Sequence, residues 1–195
     1  QAQLLADSRR QAQHLALLND LATQIAGLLT VQELTDLVVK RICADFVYDN
    51  VVIFLVDPED EKYMYMQSVY GIYAHYAVGR DTRQFVESGI IGQAIITGES
   101  VLENNTAVNP RFFQIPGMNT LSELVVPIKM GQTVLGVLNI DSCRLYAFDQ
   151  NDVALLTIVA DQLAVAIQKA RLFSQIDQRV RELEVLGIIS AALRA

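Results

Sequence analysis

The chain has no tryptophan, only two cysteines and two histidines, and four prolines among its 195 residues. Each scarcity closes off a class of reading. Cys43 and Cys143 lie far apart, in no CxxC pair, and no Cys/His cluster has zinc-ligand spacing, so no metal site is expected. So few thiols suit a reducing cytoplasmic setting better than a disulfide-stapled one, although a Cys43–Cys143 bridge is the one pairing open. His14 and His75 are the only imidazoles, and neither lies near a nucleophile in the sequence. No Ser, Cys or Asp sits in a motif for nucleophilic activation, so no catalytic residue is expected. Basic residues are also short, with 15 Lys and Arg against 22 Asp and Glu, a net charge of −7 and a pI of about 4.8. Nucleic-acid binding needs clustered cations to neutralise phosphates, and none is expected. The apolar run Val51–Val56 is far too short to span a bilayer, so no membrane segment is expected. The chain opens on Gln rather than Met, with no signal-peptide pattern, and is expected to be a portion of a longer protein.

What is present is apolar. Hydrophobic residues make up 52% of the chain and charged ones 19%, which excludes disorder and allows a substantial core. Residues 1–29 read as a helix with Leu15, Leu18, Ala22, Ile25 and Leu29 on one seam, suited either to a coiled coil or to packing on its own domain. Thr30-Val31-Gln32-Glu33 has capping-box form and opens a second helix, whose buried face is Leu34, Leu37, Val38, Ile42 and Phe46. Cys43 beside that face reads as a small core residue.

Val51–Val56 and Lys62–Val69 form a hairpin around the turn chemistry of Asp57-Pro58-Glu59-Asp60. Tyr70–Phe85 reads as a loop with one helical turn. Gly89–Thr97 is a short helix ended by Gly98, followed by a short strand at Val101-Leu102 and a loop over Asn104–Met118. Leu124–Met130 and Thr133–Asp141 make a second hairpin, in which Pro127 has no N–H to give a ladder and needs an edge or unpaired position. Asp149 caps a long last helix, with Asp152 in its first turn. Along that helix Val159, Leu163, Ala166, Ala170, Phe173, Ile176, Val180 and Leu183 step by three or four, with a register skip between Phe173 and Ile176. Leu183–Leu193 echoes Leu15–Ile25, the pattern a tandem array gives before and after one domain.

Three stretches carry a family resemblance. They are Ser88-Gly89-Ile90-Ile91-Gly92-Gln93-Ala94-Ile95-Ile96-Thr97-Gly98-Glu99-Ser100-Val101, then Leu124-Val125-Val126-Pro127-Ile128 with Leu135-Gly136-Val137-Leu138-Asn139, and Ala147-Phe148-Asp149 with Asp152, Leu155-Leu156 and Ala160–Ile167. Together they resemble a GAF domain over about residues 20–173. The resemblance implies an α+β fold: a central antiparallel sheet of five or six strands, terminal helices on one face, and a small-molecule pocket on the other. It implies a sensor module of a sensor kinase or cyclic-nucleotide-signalling protein. The expected division is a connector helix over 1–29, the sensor domain over 30–173, and a linker helix over 174–195 leading to an output domain in the same chain.

The same resemblance frames the chemistry to be excluded. A bilin needs a pocket thiol often followed by His, whereas Cys143 is followed by Arg144. A haem would have only His75 as a pocket ligand, in a loop beside Tyr73 and Tyr76. Gly89-Ile90-Ile91-Gly92 lacks the Lys of a phosphate loop. Reductase members of the family use several cysteines, and two distant ones do not match. Cyclic-nucleotide members often carry an Asn-Lys, Phe, Asp-Glu signature. Here Asn139 precedes Ile140 and Asp152 precedes Val153, so only Asn139, Phe148 and Asp152 remain, and these suit a strand end, a core anchor and a helix cap. No cofactor is expected. The expected ligand-binding residues are Phe54, Met66, Ile90, Ile91, Ala94, Asn104, Phe112, Phe113 and Glu123, with the free N–H groups at Gly89–Gly92 suited to an anionic ligand group. Two readings lead, a sensor of an unknown small molecule or a ligand-free module that dimerises through its terminal helices, with a cyclic-nucleotide-binding or reductase GAF domain behind them.

Overall fold

The computed structural model describes residues 30–76 and 83–192, with side chains through Leu186. The helix expected over 1–29, and with it the first half of the Leu15–Ile25 echo, lies outside the described residues. In chain order the elements are α1 (Val31–Phe46), β1 (Asn50–Val56), β2 (Tyr63–Gly71), β3 (Gln84–Phe85), α2 (Gly89–Thr97), β4 (Val101–Glu103), β5 (Ser122–Met130), β6 (Thr133–Ser142) and α3 (Gln150–Ala192). The strands form one antiparallel sheet in the order β3-β2-β1-β6-β5-β4. Both expected hairpins are there. The two-residue β3 falls in a stretch read as loop, because two residues carry no period.

The central strands β1 and β6 are covered on both faces, which is why Val51–Leu55 reads as an unbroken apolar run. Successive side chains point to opposite faces. Val51, Ile53, Leu55, Leu124, Val126, Ile128, Leu138 and Ile140 pack against α1 and the first half of α3. Val52, Phe54, Met64, Val125 and Val137 pack on the other side with Ile90 and Ala94 of α2. Pro127 lies beyond the end of β4, which pairs only with Glu123–Val125, so the missing N–H falls where β5 is an edge.

The helix starts are locked by reciprocal caps. Thr30 Oγ1 accepts from Glu33 N at 3.2 Å while Thr30 N donates to Glu33 Oε2 at 2.8 Å. Asp149 Oδ1 accepts from Asn151 N at 2.7 Å and Asp152 N at 3.1 Å, and Asp149 N donates back to Asp152 Oδ2 at 2.9 Å. Tyr48 Oη donates to the other Asp152 oxygen at 2.8 Å, which ties the end of α1 to the start of α3.

The stripe read along α3 as one seam is two. Val159, Leu163, Ala166 and Ala170 are buried on the chain's own sheet, whereas Phe173, Ile176, Val180 and Leu183 are 47–67% exposed. Burial stops at Ala170, and the register skip lies beyond it. By length and composition α3 passes the test for a membrane span, but half of its apolar window is buried inside the domain, as in the core helix of a globular fold.

Where β1 pairs with β6, Gly136 lies opposite Leu55 and lets the backbones approach. A Cβ there would press into the Phe54 carbonyl oxygen and sit 2.8 Å from Leu55 Cδ2. Gly136→Ala is expected to cost about 3 kcal/mol or more, since backbone has to shift. Urea denaturation measures this, and a loss below ~1 kcal/mol would show that the central ladder yields more easily than its packing implies.

Candidate ligand-binding site

Between the sheet, α2 and the loop over 104–121 lies a cavity of about 710 Å³. Its middle is apolar, lined by Val52, Phe54, Met66, Val69, Ile90, Ile91, Phe112, Phe113, Ile115 and Met118. One end is polar, and the β ladder builds it. Glu123 of β5 lies directly opposite Asp141 of β6, Asp141 lies opposite Asn50 of β1, and Asn50 lies opposite Gly71 of β2. Glu103 of β4 pairs with Glu123 and extends the row. Direct cross-strand neighbours hold their Cβ atoms roughly 5 Å apart, so this row sets carboxyls side by side. Asn139, two residues before Asp141, points to the same face. Gly71 closes the row without a side chain, at φ +131°, and a Cβ there would meet the Asn50 backbone and side chain.

These groups are buried and incompletely paired. Asn50, Glu123, Asn139 and Asp141 are each no more than 5% exposed. Asn50 Nδ2 donates to Asp141 Oδ2 at 3.0 Å, and Asn139 Nδ2 lies 3.5 Å from both Asp141 oxygens. The carbonyl oxygens Asn50 Oδ1 and Asn139 Oδ1 have no hydrogen-bond partner among the described residues. Buried polar atoms of this kind are rare and costly, which makes this end of the cavity a candidate site. Glu103 is otherwise engaged, accepting from Asn105 N and Asn109 Nδ2 at 2.9 Å each.

Burial pushes the Glu123 carboxyl well above the ordinary carboxylate range, helped by the neighbouring Asp141 and Glu103 charges and opposed by its hydrogen bond with Asn139. Burial also raises Asp141, to about 6, against the hydrogen bonds it accepts from Asn50 and Asn139. Burial thus favours the neutral form of both carboxyls.

Of the residues expected at the site, Phe54, Met66, Ile90, Ile91, Phe112, Phe113 and Glu123 line the cavity. Ala94 and Asn104 do not. Ala94 is fully buried on the underside of α2, packed between Ile90 and the sheet. Both ends of the Asn104 amide are spent on Phe148, donating to its carbonyl at 3.0 Å and accepting from its N–H at 3.4 Å, which pins the loop entering α3 to the end of β4. Asn139, read as a strand end, is inside β6 and faces the cavity. Asn50 and Asp141 were not singled out in the sequence. The signal for Asp141 was the polar period of two at Asn139 and Asp141 in an otherwise apolar strand. Asn50 had no signal, since a polar residue before a strand usually caps it. His75 is exposed in the 3-10 turn Ala74–Tyr76 and meets the Tyr76 ring at a tilt of 42°; Tyr76 lines the cavity and His75 does not. Both thiols are free. Cys43 donates to the Tyr48 carbonyl at 3.0 Å in the helix-side core, and Cys143 contacts Tyr73 Oη at 3.1 Å.

A family model described as GAF domain matches residues 28–168, most of the chain. The chain belongs to the GAF family. Solved GAF domains of phosphoenolpyruvate-protein phosphotransferases share its fold. The one from Coxiella burnetii is 19% identical, with a TM-score of 0.73 over 84% of this chain and 98% of that one. The one from Acinetobacter is 19% identical, with a TM-score of 0.69 over 83% and 97%. A free methionine-R-sulfoxide reductase from Neisseria meningitidis, solved with its substrate, is 22% identical, with a TM-score of 0.70 over 82% and 90%. No curated protein matches the chain. Within this GAF domain, the three residues left of the cyclic-nucleotide signature do not meet. Asn139 lines the cavity, Phe148 belongs to the helix-side core, and Asp152 caps α3.

The buried acidic row has a signature in stability. The Glu123 and Asp141 carboxyls titrate higher in the folded chain than in the unfolded one. From about pH 4.5 up through the raised folded values, the folded state therefore holds protons that the unfolded state has released, and stability falls as pH rises. Glu123→Gln with Asp141→Asn is expected to flatten that fall and to raise stability near pH 8 by roughly 1–3 kcal/mol. Urea denaturation across pH is the measurement. Identical pH slopes with and without the substitutions would exclude the pair as the cause.

Proposed function

We propose that this GAF domain is the non-catalytic sensing part of a larger signal-transduction protein, of the sensor-kinase or cyclic-nucleotide-signalling kind, and that a small molecule binds its cavity. One observation carries the reading: a buried polar end with unpartnered Asn50 and Asn139 carbonyls opens onto an apolar cavity of about 710 Å³, which suits a small molecule. The non-catalytic part of the reading rests on the lining. Among the described residues no Cys or His lines the cavity. Reductase chemistry of the kind named for the Neisseria meningitidis neighbour is therefore the weaker alternative.

The output runs through α3. Its buried half packs on the reverse face of β5 and β6, the strands that carry Glu123 and Asp141. Its outer half shows an apolar stripe, Phe173, Ile176, Val180 and Leu183, suited to a second copy of the helix in a parallel homodimer. A ligand shifts such a pair only through different affinities for two helix packings.

Native mass spectrometry of the purified chain is expected to show a retained small molecule. In a metabolite panel, a ligand at 100 times its Kd stabilises by about 2.7 kcal/mol. An empty cavity with no thermal shift across the panel sinks the sensor reading and leaves the dimerisation module. For the dimer, Ile176→Glu with Leu183→Glu should give a monomer by light scattering with unchanged thermal stability. A dimer surviving both substitutions rejects the α3 stripe as its interface.

A further inference from the structure

The polar end of the cavity has one chemical character: it accepts hydrogen bonds. Glu123 and Asp141 bring carboxyl oxygens, and Asn50 and Asn139 bring two carbonyl oxygens that nothing among the described residues donates to. Among the described residues, the donors bonded to these carboxyls are the two Asn amides, while Arg83, Arg111, Tyr73 and Tyr76 line the cavity with them. Asn50 Nδ2 is committed to Asp141, and Asn139 Nδ2 sits between the two carboxyls. A ligand group that completes this end must bring several N–H donors and positive charge.

We infer that the polar end receives an organic cation, an ammonium, amidinium or guanidinium group on an apolar body, with its N–H groups shared among Asp141, Glu123 and the carbonyls of Asn50 and Asn139. The inference rests on reading the cavity as a ligand site and names the class of ligand. An anionic group would meet Asp141 and Glu123 directly, while the cations that line the cavity are placed elsewhere, Arg83 on Asp57 and Arg111 exposed. A neutral hydroxyl would supply one donor for the two partnerless carbonyls and no charge for the carboxyls. A bare metal ion would leave the belt of Val52, Phe54, Met66, Ile90 and Phe112 unused, and among the described residues no group of three or more His, Cys, Asp or Glu is placed to hold one.

Seating a cation between the carboxyls favours their ionised forms, so binding is linked to proton release from the pair. Affinity then rises with pH. The other titratable groups around the pair are engaged elsewhere or lie at the rim. Glu103 of β4 is bonded to Asn105 and Asn109. Asp49, before β1, accepts from Ser142 Oγ and Cys143 N at 2.8 Å each. Tyr73, after β2, holds Cys143 and accepts from Asn119 N at 2.7 Å. Arg83 bonds Asp57 and stacks on Tyr63, Arg111 is exposed, and α2 carries no titratable side chain.

Thermal shift of the whole chain with matched probes tests this. The probes are phenethylamine, phenethyl alcohol and phenylacetate; benzamidine and benzamide; agmatine; and calcium chloride alone. At least one cationic probe should raise the melting temperature near pH 8, with its neutral and anionic analogues inert. Its affinity should fall at least about tenfold near pH 5, where both carboxyls carry protons. Glu123→Gln with Asp141→Asn should also cut affinity tenfold or more without lowering the melting temperature of the ligand-free chain. The inference is overturned if only neutral or anionic probes bind, if calcium alone reproduces the shift, or if the double variant keeps full affinity for the amine. In those cases a ligand site remains. If no probe and no member of the wider metabolite panel binds, the sensor reading falls with it.

Discussion

Both halves of the molecule depend on the register of β1, β6 and β5. Residues one apart on these strands serve opposite faces. Leu124, Ile140 and Val51 belong to the core under α1 and α3, while Glu123, Asp141 and Asn50 form the polar end of the cavity. A slip of one residue would exchange these sets, placing three polar groups under the helices and three aliphatic ones in the cavity. The apolar set is what prevents the slip. Burying Leu124, Leu138, Ile140 and the rest of that face is favourable only in the observed register. The acidic row is held in place by that gain rather than by attraction among its own members. The ladder itself supplies the backbone hydrogen bonds, and Gly136 gives it the close approach it needs where β1 pairs with β6.

The acidic row is the reverse of a stabilising device. Like charges directly across a β ladder repel, and a buried carbonyl without a donor loses its water for nothing. The fold limits the damage by local means. Glu103 is drawn aside to the loop after β4, and Asn50 and Asn139 place amide N–H groups on the Asp141 carboxyl. None of these measures supplies donors to the two Asn carbonyls. A sheet that only needed to be stable would carry aliphatic residues at these positions, as it does at Val52 and Val137 on the same face.

Most of the architecture was legible in the sequence because it is local. The Thr30–Glu33 capping box, the Asp149–Asp152 cap, the turn at Asp57–Asp60 and the alternation of the strands each declare themselves within a few residues. The family resemblance did the rest for topology, and most of the expected lining residues do line the cavity. What was not legible is cross-strand. Asn50, Glu123 and Asp141 come from three separate strands, and only the register makes them neighbours. Ala94 and Asn104 failed for the same reason in reverse. They sit in the right segments, but packing turned one under α2, and a long-range pair of hydrogen bonds tied the other to Phe148. The α3 stripe misled because a step of three and four is the same for a helix on its own sheet and for one on a partner. Only burial separates Ala170 from Phe173.

That boundary on α3 also sets how the helix is coupled to the sheet. Up to Ala170 the helix is packed into the sheet by Leu156, Leu163 and Ile167, fully or almost fully buried, so this half moves with β5 and β6 or not at all. Beyond Ala170 nothing in the described chain restrains it, and charge pairs such as Asp177 with Arg181 join residues of the helix to each other rather than to the sheet. A rearrangement of the acidic row therefore has a short rigid route to Ala170 and a free lever after it. The route is one sheet thick, since Glu123 and Leu124 are consecutive residues facing the cavity and the helix core. Whatever changes the spacing of Glu123 and Asp141 must act on the β5–β6 ladder, and the side chains on the reverse of that ladder are those against which α3 is seated.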